Sequence, residues 1–256
     1  MRHICIPVIA SLLAATDLHA GNAAMPDTML APVESEWNFR FAPYAWLIAI
    51  DGDMGVGPFT APVDISFSDT LDKLDLAYMF LAEAGYGRWT LTADFVYGDF
   101  SNDIAGPPPF ARIDYGFTQW VLSATVGYRV IQTEGYAMDF FAGTRTTDFD
   151  ATATALGAGP PLQRSPGDTW TDPIIGIRGQ SDLGERFILR YNADIGGFGV
   201  SSDLVWQAFL GLGYRMTENS TVAIGYRGMG LDYTSNAFSP MDTITHGPVL
   251  GFEFRF

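Results

Sequence analysis

The sequence predicts an all-β chain: a transmembrane antiparallel up-and-down β-barrel of about ten strands. Three observations carry that expectation. Over residues 244–256 apolar side chains alternate with Gly247, Gly251, Glu253 and Arg255, and the apolar set ends in Phe252, Phe254 and Phe256. Strict alternation marks a strand with one greasy face and one polar face. Charges set between phenylalanines at the end of a chain fit a barrel that turns its greasy face to lipid and its polar face to the lumen. Second, similar stretches recur along the chain, joined alternately by tight turns and by longer Gly/Pro/Asp-rich connections. A barrel with short periplasmic turns and long extracellular loops requires that rhythm. Third, no stretch after the N-terminus reaches the ~18 apolar residues of a membrane helix. In lipid, only helices and closed sheets pair every backbone group.

Each element follows in order. Residues 1–20 read as a signal peptide: Arg2 and His3 begin it, residues 4–15 are its apolar core, and Leu18-His19-Ala20 offers a cleavage site, with cleavage after Ala24 as the alternative. The single cysteine, Cys5, lies inside this segment. The mature chain is then without a thiol, which excludes disulfides, zinc–thiolate sites and cysteine nucleophiles. Residues 21–36 are a short periplasmic lead-in, and residues 37–256 form the barrel. Trp37, Phe39 and Phe41 open the first strand against Asn38 and Arg40. Residues 51–75 are a long loop with a β-like piece, 63–67, and a helical piece, 68–74, that Ser68 can cap. Residues 76–97 are a hairpin turning at Gly87-Arg88, and 102–110 a proline-stiffened loop.

Strand-like runs follow over 112–131 and 136–155, then a turn-rich loop over 157–167. Further strands cover 171–180, 187–195, 204–215 and 222–227, with turns near residues 184 and 218. A last loop, 235–242, delivers the closing strand. The count is about ten. Eight or twelve strands stay open, because residues 51–67 have the length of an additional hairpin.

Four short pieces carry a resemblance: Trp170-x-Asp172-Pro173-x-x-Gly176-x-Arg178, Asp194-Ile195-Gly196-Gly197-Phe198-Gly199, Gly225-Tyr226-Arg227, and Gly247-Pro248-x-x-Gly251-Phe252-x-Phe254-Arg255-Phe256. With them the chain resembles a family of small, largely uncharacterised proteobacterial outer-membrane β-barrel proteins of porin-like type. The resemblance implies fold and place, the outer membrane of a Gram-negative bacterium. It implies no catalytic residue and no known substrate.

Charge narrows the functional classes. The formal net charge is −15 and Lys73 is the only lysine, which argues against nucleic acid or another polyanion as the main partner. The expected partners are outer-membrane lipid and lipopolysaccharide and the barrel-assembly machinery; an extracellular ligand is left unassigned. By alternation the lumen collects Glu83, Asp94, Asp139, Asp194 and Glu253 with Arg129, Arg145, Arg178, Arg190, Arg215, Arg227 and Arg255. Such a set either fills and stiffens a narrow barrel or forms a charged constriction for small solutes. At about ten strands filling is favoured, because open porins have ~16–18. Phe252, Phe254 and Phe256 are the expected barrel-insertion signal.

An enzyme is the less favoured class. The mature chain has one histidine, His246, on the lipid-facing side of the last strand, with no Gly-x-Ser-x-Gly and no acid placed beside it by spacing. No catalytic residue, metal ligand or cofactor is assigned; Asp51-Gly52-Asp53 lacks the further ligands of a calcium loop and reads as turn chemistry. The expectation is a structural or porin-like protein with narrow or gated passage of small solutes. A surface interaction or adhesion protein acting through its loops is the alternative, and a lipid-modifying enzyme comes third.

Overall fold

A computed structural model describes residues 36–56, 59–106, 110–235 and 237–256. The segments expected to be a signal peptide and a periplasmic lead-in, except for residue 36, lie outside these residues. The chain runs through β1 (Trp37–Trp46), β2 (Ala49–Val56), β3 (Phe59–Ile65) and a short helix α1 (Phe67–Asp72). It continues through β4 (Leu74–Tyr86), β5 (Trp89–Ala105), β6 (Phe110–Thr133), β7 (Tyr136–Gly157) and β8 (Leu162–Arg164). The remaining strands are β9 (Gly167–Leu183), β10 (Phe187–Gly197), β11 (Leu204–Arg215), β12 (Ser220–Tyr233) and β13 (Phe238–Arg255).

Ten staves close the barrel, every one antiparallel to its neighbours. β1 and its continuation β2 form the first; β4, β5, β6, β7, β9, β10, β11, β12 and β13 follow, and β13 pairs back onto β1. β3 folds onto β2 and β8 onto β7, so both widen the sheet without adding a stave. The 51–67 segment therefore lengthens the first stave, and the count is ten. The seam bends between β1 and β2, where Gly247 lies under Leu47. A Cβ at Gly247 would stand 1.7 Å from the Leu47 carbonyl oxygen, so only glycine permits this approach.

Tight turns occupy the end at which β1 begins and β13 stops (the terminal end), with Gly87, Gly135 and Gly184 at positive φ. At the opposite end, the loop end, strand replaces much of the expected loop. Residues 102–105 belong to β5 and pair with residues 112–115 of β6. Asp51 and Asp53 sit in β2, not in a turn. The reason is shared. Beyond a lipid-facing band the outer face has no need of apolar residues, so alternation fades while the hydrogen-bonded ladder continues. In α1 the capping residue is Ser66 rather than Ser68: its hydroxyl accepts from the Asp69 backbone N–H, and the Asp69 carboxylate accepts from Ser66 in return.

Outward side chains form two aromatic rows. One follows the turns, with Trp37, Tyr86, Trp89, Tyr128, Phe187 and Tyr214 in cross-strand contact as neighbours. The other holds Tyr78, Tyr97 and Trp120, adjacent on β4, β5 and β6. Trp89 and Tyr97, like Tyr128 and Trp120, are eight residues apart. At ~3.4 Å per residue and a tilt of about 40° this is roughly 20 Å, close to the ~25 Å apolar band of a membrane barrel.

Candidate functional site

Alternate residues of each stave point into the lumen, and toward the terminal end those residues are charged. Of the twelve positions expected to form a lumen network, all but Arg215 line one cavity of about 500 Å3. Arg215 pairs with Asp182. Arg40 also lines the cavity, as do Tyr44 and Gln207; alternation placed Arg40 on the polar face, but nothing in its spacing marked it as a member.

The charges form three tiers. Nearest the termini, Arg40, Arg190 and Arg255 converge on Glu253 at 3.3, 2.7 and 2.9 Å, and Arg40 also reaches Glu83 at 2.7 Å. In the middle tier Asp139 faces Arg129 at 2.6 Å and Arg178 at 3.5 Å, and the Thr90 hydroxyl donates to it. Both arginines are the direct cross-strand neighbours of Asp139, so register alone brings this tier together. Deeper, the Arg145 guanidinium forks onto Asp194 with two 3.0 Å contacts, and Arg227 meets Asp94 at 2.8 Å. Gln207 accepts from both of these arginines, and the Tyr44 hydroxyl accepts from Arg227 and donates to Asp94. These deep pairs cross the lumen between strands that are not neighbours.

The deep pairs are the most buried, with side-chain exposure of 2% at Arg145 and 5% at Arg227 against 37% at Arg255 and 28% at Arg129. The cavity thus opens toward the termini and closes inward. Its floor is apolar. Phe141 and Ile174 line it and pack with Val205 and Leu231. Leu231 also meets a second cluster, Phe149, Trp170, Tyr233, Phe238 and Met241, toward the loop end. Trp170 and Tyr233 stack at 3.9 Å, Phe149 and Phe238 meet edge to face, and Phe238 is 0% exposed. A two-layer apolar septum therefore lies across the lumen. Asp172 accepts from the Ser202 backbone N–H at 2.8 Å and from its hydroxyl at 2.6 Å, which folds the 198–203 reversal against this septum. Sequence reasoning missed the septum because an apolar residue has the same period-two signature whether it faces lipid or the lumen.

His246 lies on the outer face toward the loop end. Its Nε2 is 2.7 Å from Asp51 and its Nδ1 2.6 Å from the Tyr226 hydroxyl. An acid does stand beside it, brought by the β2–β13 pairing from 195 residues away, a distance that spacing does not reveal. Both ring nitrogens are engaged, and neither contact is to a serine. Phe252, Phe254 and Phe256 all face outward and are exposed. The backbone of Phe256 pairs with Phe39 at 3.1 and 2.9 Å and closes the seam.

No protein-family model matches the chain, and no curated protein matches its sequence. Solved structures do. The outer membrane protease OmpT from Escherichia coli is 11% identical with a TM-score of 0.55, over 88% of this chain and 98% of that one. The translocator domain of the autotransporter NalP from Neisseria meningitidis is 12% identical with a TM-score of 0.50, over 87% and 90%. At these identities the likeness is one of architecture: the chain has the fold of the outer-membrane β-barrels.

Proposed function

We propose that the protein spans the outer membrane of a Gram-negative bacterium and serves narrow, gated passage of small solutes. The observation that carries this reading is the lumen itself, a charged vestibule open toward the termini and shut by an apolar septum. Apolar constrictions gate by excluding water, and ten staves leave a lumen that a few side chains can close. Tight turns and both termini would face the periplasm. The orientation follows from an even stave count together with the secretory leader expected over residues 1–20. The partners would be lipid and lipopolysaccharide around the apolar band and the assembly machinery during insertion.

The test is single-channel recording of the refolded barrel in planar bilayers, with heat-modifiable gel mobility as the folding control. The wild type is expected to be silent with rare brief openings. The pair Trp170→Ala and Phe238→Ala is expected to give steady, salt-dependent steps. A folded double variant that stays silent would leave a structural or surface-interaction role in its place. A lipid-modifying activity has its sole support in the Asp51–His246–Tyr226 set. An activity of the pure protein that disappears in His246→Ala would favour that third reading.

A further inference from the structure

Among side chains, seven arginines but five carboxylates line the lumen cavity, a side-chain excess of two positive charges in a chain whose formal net charge is −15. The excess has an address. The two deep pairs, Arg145–Asp194 and Arg227–Asp94, are matched one to one. In the middle tier two arginines share Asp139. At the mouth three arginines share Glu83 and Glu253, and Glu253 alone takes three guanidiniums. Each of the two outer tiers is therefore one negative charge short. Buried donors without a hydrogen-bond acceptor in the protein include Arg40 Nε, Arg190 Nε and Arg178 Nη2 in these tiers, as well as Arg227 Nε in a deep pair. Uncompensated guanidiniums in a confined, low-dielectric space are unfavourable, and an anion entering that space relieves them.

We propose that this vestibule is a binding site for a small organic dianion, a phosphate monoester or a short dicarboxylate, entering from the end that carries the termini. Guanidinium forks match the planar oxygens of carboxylate and phosphate. Two excess charges fit one dianion. The cavity, at about 500 Å3, leaves room beside the anionic group for a short carbon skeleton, which Phe141 and Ile174 would meet at the floor. The proposal rests on the gated-passage reading in naming what the passage admits.

The test is equilibrium titration of the folded full barrel in zwitterionic micelles with inorganic phosphate, glycerol 3-phosphate and succinate. Calcium and sodium chloride at matched ionic strength are the controls. Saturable binding of the dianions but not the controls is expected, weakening as salt rises. Arg190→Gln and Arg178→Gln should each weaken it tenfold or more. Glu253→Gln, which adds one more net positive charge to the vestibule, should tighten it severalfold, an effect that a merely stiffening role would not produce. Arg255→Gln at the exposed rim serves if the buried variants do not fold, with a smaller loss expected. Failure of the wild type to bind any of the three dianions would overturn the proposal, as would binding indifferent to all these substitutions. Binding by the wild type together with a folded Trp170→Ala/Phe238→Ala variant that stays silent would overturn the passage reading and keep the site; a conducting double variant with no binding by the wild type would do the reverse.

Discussion

Asp194 and Arg145 are each 2% exposed at the side chain, and their worth lies less in attraction than in mutual cancellation. Removing one partner of a buried pair strands the other, typically at about 3–5 kcal/mol, whereas replacing both by apolar groups can be neutral. Asp194→Ala is therefore expected to lower the unfolding free energy, read from urea titration in lipid vesicles, by an amount in that range and to shift the midpoint down accordingly. The double change Asp194→Leu with Arg145→Met should recover most of the loss. If the single variant unfolds at the wild-type midpoint, the pair is solvated and the lumen is wetter than its geometry indicates. The same logic separates residues within one tier. Asp139 has two arginines, so loss of Arg129 leaves it paired with Arg178 and should be milder than loss of Asp139 itself.

Two elements outside the charged tiers make sharper predictions. Helix α1 is held by the Ser66–Asp69 capping box, and hydrogen bonds from Ser66, first its hydroxyl and then its backbone N–H, hold the Asp69 carboxyl below the usual carboxylate range. A depressed folded value means that the contribution is present above the unfolded value of about 3.9 and is lost as pH falls through the folded one. The helix is thus expected to loosen in acid below about pH 4 while the barrel persists. Lys73 ends the helix and is the only lysine in the chain. In Ser66→Ala, a lysine-specific protease at neutral pH should therefore make its one cut faster than in the wild type. Equal rates in the two proteins would show that the cap does not hold the helix. At the other end, Phe256 pairs with Phe39 through its backbone while its ring points outward with 77% exposure. Phe256→Ala should therefore leave refolding in detergent nearly unchanged. In cells it should cut the amount of assembled barrel severalfold if the terminal phenylalanines act as the insertion signal. A parallel loss in both assays would assign Phe256 to stability instead.

At the scale of the molecule, a charged vestibule, an apolar septum and a lipid-facing belt share one wall, and the septum decides whether the vestibule leads anywhere. The conductance gained by Trp170→Ala with Phe238→Ala, against a quiet wild type, is the measurement that reads this directly. Period-two alternation sufficed to foresee a closed antiparallel barrel of about ten staves, the turn ends, the outward phenylalanines and the polar side on which the lumen charges lie. It sufficed because every stave meets the same two environments along its length. Alternation says which side of a strand a residue takes, but not what stands across the lumen from it. Arg129 and Asp139 meet as direct cross-strand neighbours across a short turn. Arg227 and Asp94, or His246 and Asp51, meet only because closure and register bring distant strands together. The septum was hidden for a related reason: Ile174, 1% exposed, and Ile175, 53% exposed, are chemically identical neighbours. Composition and periodicity thus determined architecture and sidedness. Which arginines share a carboxylate, and where the lumen shuts, were decided by tertiary structure, because both depend on distances across the barrel that no local pattern encodes.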